Sequence, residues 1–94
     1  MIKGKISNGF EYSIDGEVLD DAELLETLTE VDETGSTRVA IIALRAILGE
    51  EQKKALYEHL RNPETGRVPI TKVMQSLEEI LTDAGERKGE IKNS

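Results

Sequence analysis

Residues 6–12, ISNGFEY, decide how the chain begins, because Asn-Gly between apolar residues is the strongest short-range signal for a β-hairpin. A two-residue Asn8-Gly9 loop would oppose Ile6 to Glu11 and Lys5 to Tyr12, mixing apolar and charged side chains on both faces. A three-residue loop, Ser7-Asn8-Gly9, repairs this. It pairs Ile6 with Phe10, Gly4 with Tyr12 and Ile2 with Ile14 on one face, and Lys5 with Glu11 and Lys3 with Ser13 on the other. Gly9 takes the left-handed position that closes such a loop. A two-stranded ribbon is marginal in water, so a hairpin over residues 2–15 must lay its apolar face on helices.

Downstream the pattern turns helical. LDDAELLETLTEV predicts a helix over about 20–32, with Asp20 as cap, Glu23 reaching back and Leu19 stapled to Leu24. Leu24, Leu25, Leu28 and Val31 form its expected stripe, and Glu23, Glu26 and Glu30 face away. Gly35 stops it, and Ser36 or Thr37 caps a second helix over 37–48. From Val39 to Leu48 only Arg45 is polar, so periodicity does not say which side is buried. Two expectations follow: a central helix wrapped by the others, or a helix with one side left as an interface. Gly49 then separates a third helix over 50–61, with a stripe of Ala55, Leu56 and Leu60, and Asn62-Pro63 ends it. Val73, Met74, Leu77, Ile80, Leu81 and Ala84 predict a last helix over 69–84 closed by Gly85. Residues 86–94 read as a disordered tail. The expected fold is α+β and mainly α, one domain over residues 1–85 built from a hairpin and about four short helices.

Composition narrows the function. The 94 residues carry a net charge of −7 and no cysteine, which excludes disulfides and thiolate metal sites and argues against nucleic acid as partner. Between Lys5 and Arg38 there is no basic residue, while ten acids fall from Glu11 to Glu33. No run of about 18 apolar residues suggests a membrane span, and no apolar segment follows Lys3 and Lys5, so the expectation is a cytoplasmic protein. His59 is the sole histidine and reads as a helix-surface residue rather than a general base. Adjacent carboxylates such as Glu50-Glu51 point about 100° apart on a helix and share no site. The loop around Gly66 has Arg61, Pro63, Thr65 and Lys72 where an EF-hand needs ligands, so it cannot hold calcium. No catalytic, cofactor or metal residue is expected.

KGKISNGFEYSIDGEVLDDAELLETL, LRAILGEEQKKALYEHLRN and GRVPITKVMQSLEEIL together resemble small tail assembly chaperones encoded by long-tailed bacteriophages and prophages of Gram-positive bacteria. The resemblance spans about residues 3 to 82 and rests on turns, caps and packing residues. It implies a helical, non-enzymatic protein that binds the hydrophobic tape measure protein, keeps it soluble, and lets tail tube subunits assemble around it. In the residues, its counterpart is an apolar surface of Val39, Ile42 and Leu48 beside Arg45, rimmed by Glu23, Glu26 and Glu30. Two rival expectations remain: an acidic decoy for a basic DNA-binding protein, and a structural phage subunit that forms a homo-oligomer through the second helix.

Overall fold

A computed structural model describes residues 1–93, with side chains described through residue 89. The hairpin forms as its alternation dictates. Strands β1 (Ile2–Lys5) and β2 (Glu11–Ile14) pair antiparallel with Ile2 opposite Ile14, Lys3 opposite Ser13, Gly4 opposite Tyr12 and Lys5 opposite Glu11. The Ile6 N–H donates to the Phe10 carbonyl at 3.0 Å, and Gly9, at φ 91°, returns its N–H to Ile6 at 2.9 Å. The Asn8 side chain braces the loop by accepting from the Phe10 N–H at 2.9 Å. Ile2, Ile6, Phe10, Tyr12 and Ile14 are all buried.

A 3-10 turn over Gly16–Asp20, capped by Asp15, intervenes before the first helix. It is a feature the sequence reading lacks, and it moves the cap: Asp20 closes the turn, and Asp21 accepts the Glu23 N–H at 2.9 Å. Helix α1 therefore runs Ala22–Thr34, two residues later than expected. Gly35, at φ 67°, and Ser36, whose hydroxyl accepts from the Val39 N–H at 3.3 Å, make the corner into α2. Helix α2 (Thr37–Leu60) is broken at Gly49, whose φ of 80° and ψ of 165° lie where only glycine is comfortable. The two expected helices on either side of Gly49 are thus the two arms of α2. Three helices and a short turn follow the hairpin, against about four helices expected.

Helix α3 (Ile70–Asn93) passes through Gly85, where a stop was expected, and makes residues 86–93 of the expected tail helical; Ser94 lies outside the described residues. A mid-helix glycine costs only about 1 kcal/mol, and here an ion pair from the Arg87 Nε to Asp83 at 2.8 Å spans it. Acid before base at this spacing is the favourable order.

The core lies where the hairpin, the second arm of α2 and α3 meet the inward side of the first arm. Leu44, Leu56 and Ile80 are fully enclosed. On the second arm the buried stripe is Lys53, Leu56 and Leu60, with Ala55 exposed, which corrects the expected stripe. Lys53 buries its stem and extends its ammonium to Glu50 at 3.0 Å, 5.5 Å from the centre of the Tyr57 ring. One residue earlier, Gln52 brackets β2: its Oε1 accepts from the Ser13 N–H at 2.8 Å and its Nε2 donates to the Ser13 carbonyl at 2.6 Å.

A polar tie fixes α3 to the sheet. The Tyr12 hydroxyl donates to the Asp83 carboxylate at 2.5 Å. Burial first, then this bond, pushes the Tyr12 phenol up to about 12. The same bond, followed by the Arg87 guanidinium, holds Asp83 below the usual carboxylate range. The signs give opposite edges to the stability profile. Because the folded state keeps the Tyr12 proton, that contribution is whole below pH 10 and is lost as pH rises from about 10 to about 12. The Asp83 contribution is whole above its ordinary value and is lost as pH falls through its depressed one. A Tyr12→Phe variant should lose about 1–3 kcal/mol and show a flatter fall in melting temperature above pH 10 than the parent. Equal slopes in the two proteins would rule the tie out as a stabilising element.

Candidate functional site

Helices α1 and α2 pack against each other, and Leu24, Leu28 and Val31 of α1 pack into the core that the inward face of α2 helps to form. On the first arm of α2, Ala40, Ala43, Leu44, Ile47 and Leu48 are buried and Arg38, Ile42, Arg45 and Ala46 are exposed. At 100° per residue the exposed set occupies one arc with Ile42 at its centre, Arg38 four residues before it and Arg45 three after. Ile42 is 55% exposed. The helix is thus not wrapped on all sides: its inward side is core and its outward side is open to solvent.

The structure divides the expected site residues. Ile42 and Arg45 stand in solvent, and Arg45 donates from Nε to Glu50 at 3.0 Å. The hydrogen bond from Lys53, followed by the charges of Lys53 and Arg45, holds the Glu50 carboxyl below its usual range. Val39 is half-buried at the edge of the arc. Leu48, expected on the surface, is buried at 5% exposure and leaves the site, because its angle on the helix matches Leu44 rather than Ile42. Glu23, Glu26 and Glu30 are exposed along one side of α1, as the spacing of three and four predicts.

A second exposed apolar residue, Leu25 on α1, was not foreseen. Expected in the apolar stripe, it is 66% exposed instead. It lies one residue, and so about 100°, beyond Leu24, while Leu24, Leu28 and Val31 already fill the surface that α2 offers. The detectable signal was a four-residue apolar set too wide for a single narrow seam. An exposed leucine on α1 and an exposed isoleucine on α2 thus sit on two helices that pack together, flanked by acids on the first and arginines on the second.

A concavity of about 570 Å³ lies between the hairpin tip, the end of α2 and the start of α3. Its polar groups serve the fold. His59 Nε2 is 2.8 Å from the Asn8 carbonyl, and its ring lies 5.8 Å from that of Phe10. The buried Ser76 hydroxyl donates to the Lys72 carbonyl at 2.8 Å and accepts from the Asn8 side-chain amide at 3.1 Å. Arg61 is held by Glu58 at 2.7 Å and by the Gly66 carbonyl at 2.6 Å. These bonds pin the hairpin tip to two helix ends.

Among the described residues no group of three or more histidines and carboxylates could hold a metal ion, and no helix is long and apolar enough to cross a membrane. No protein-family model matches the chain, nor does any curated protein sequence or solved structure.

Proposed function

We propose that the protein is a non-enzymatic assembly chaperone working in the host cytoplasm, which captures an apolar helical partner on the outward side of the α1–α2 pair. The partner that suits the resemblance to phage tail assembly chaperones is the tape measure protein, with tail tube subunits added afterwards. The observation that carries the reading is the exposure of Ile42 at the centre of its arc, next to a helix bearing the exposed Leu25. Large apolar side chains on adjoining helices are what a helix-capturing surface needs. The mixed rim, acidic on α1 and basic on α2, suits a partner with charges of both signs beside its apolar face. The net charge of −7 would keep the loaded complex dispersed.

The distribution of acids favours this over an acidic decoy. A decoy needs its acids on one face, whereas Asp15 and Asp21 are spent as caps and Glu11 stands opposite Lys5 on the sheet.

Ile42→Glu is the test. The residue is exposed, so the variant should melt within about 0.5 kcal/mol of the parent. Co-expressed with tape measure protein, the parent should hold that partner in the soluble fraction at low and high salt, and the variant should lose at least tenfold of it. A variant that keeps the partner soluble would move the site elsewhere. Binding by the parent that vanishes in salt would favour the decoy, since exposed charges are screened within about 8 Å at physiological ionic strength. A homo-oligomer of unchanged mass on offering the partner would favour the structural subunit.

A further inference from the structure

The two edges of the sheet are not equivalent. Hydrogen-bonded and open pairs alternate along an antiparallel ladder. With Ile6 bonded to Phe10, the pairs Gly4/Tyr12 and Ile2/Ile14 exchange hydrogen bonds, and the N–H and C=O groups of Lys3, Lys5, Glu11 and Ser13 point outward. On β2 the Ser13 pair is taken by Gln52. On β1, among the described residues, no hydrogen bond takes the backbone groups of Lys3 or Lys5. Unsatisfied strand groups at a spacing of two are a template for another strand.

Beside this edge runs a groove of about 510 Å³. Lys5 and Ser7 form its strand side. Its helix side is Gln75, Glu78, Glu79, Thr82, Asp83 and Glu86 of α3, of which Gln75, Glu79, Thr82 and Glu86, at steps of four, three and four, make one ridge. Glu79 already reaches the strand line, where its Oε1 lies 3.4 Å from the Ser7 N–H. A strand added to β1 would lie about 4.8 Å from it. Alternate side chains would then fall on the acidic ridge of α3, and the others beside the exposed Lys3 and Lys5 side chains on the outer face.

The geometry points to an added strand from a partner protein, paired with the open edge of β1, its residues alternating basic toward α3 and acidic toward Lys3 and Lys5. Charge disfavours a second copy paired through β1 as the occupant. Antiparallel self-pairing about Gly4 sets Lys3 against Lys5, and centring on either lysine sets it against itself. Like charges directly opposite destabilise a ladder.

The surface is independent of the α1–α2 site, and its test uses a short probe. A seven-residue peptide alternating Glu and Lys, with both ends blocked, is titrated into labelled protein, and amide exchange is read residue by residue. The Lys3 and Lys5 amides should slow roughly tenfold or more at saturation, with Ser13 unchanged, and the effect should weaken with salt. A block-ordered peptide of the same composition should do much less. Lys5→Pro removes one outward N–H without touching the hairpin's own ladder, as proline tolerates on an edge, and should abolish the slowing at Lys3. Should that variant fail to fold, the double charge reversal of the half-buried Glu79 and the exposed Glu86, Glu79→Lys and Glu86→Lys, should instead reduce it by at least tenfold. No slowing, equal slowing by the block peptide, or slowing that grows with protein concentration alone would overturn the proposal; the last would indicate self-pairing.

Discussion

Leu48→Glu should leave no folded protein at 25 °C, although Ile42→Glu, six residues away on the same arm, should fold normally. Leu48 is 5% exposed among the core leucines and isoleucines. Removing it forfeits about 2–3 kcal/mol of apolar burial, and a carboxylate left there without a partner adds several kcal/mol more. A domain of this size is stable by roughly 5–14 kcal/mol in all. The loss is therefore comparable with the whole stability, and the variant should show no cooperative melt by circular dichroism. A melting temperature close to the parent's would mean that Leu48 faces solvent. The pair of variants separates folding from capture, since a binding defect at residue 48 would say nothing of the interface.

Gly4→Ala should be the second severe change. A Cβ at Gly4 would collide with the Asp83 carboxylate and the Tyr12 ring. The Tyr12–Asp83 pair can lie over β1 because this strand position has no side chain. Displacing these two side chains breaks the Tyr12–Asp83 bond and overpacks the seam, together about 2–4 kcal/mol. For a small domain that lowers the melting temperature by some 10–25 °C. The phenol should report the same event by ultraviolet titration, its midpoint returning from about 12 toward its ordinary value near 10. An alanine variant with parental melting and titration would place α3 farther from the strand.

These two residues mark the boundary of what the sequence discloses. The hairpin register was readable because alternation has a period of two, and a slip of one residue would expose every apolar side chain. The caps were readable to within a residue, and Asp20 lost its role to Asp21 only because a 3-10 turn consumed it. The apolar run from Val39 to Leu48 was different, as it carries no period that could tell Ile42 from Leu48. What decided between them was the neighbours that α1, the sheet and α3 supply. Leu25 failed for the related reason that a stripe drawn on one helix does not know how wide its partner is. Gly85 was overread, since a glycine inside a helix costs only about 1 kcal/mol, and the Asp83–Arg87 pair across it offsets a part of that. Gly4 and Gln52 gave no local signal, because each matters through an element more than thirty residues away.

The Gln52 bracket on Ser13 also sets a stoichiometry. A sheet open on both sides can receive a strand on one and offer a fresh edge on the other, and so hand growth from molecule to molecule into a fibre. Here a single glutamine amide occupies the middle of the far side. With the Ser13 pair taken, β2 offers a following strand only the backbone groups of Glu11, so a strand joined at β1 leaves a poor template on the far side and one partner per protein is favoured over a fibre.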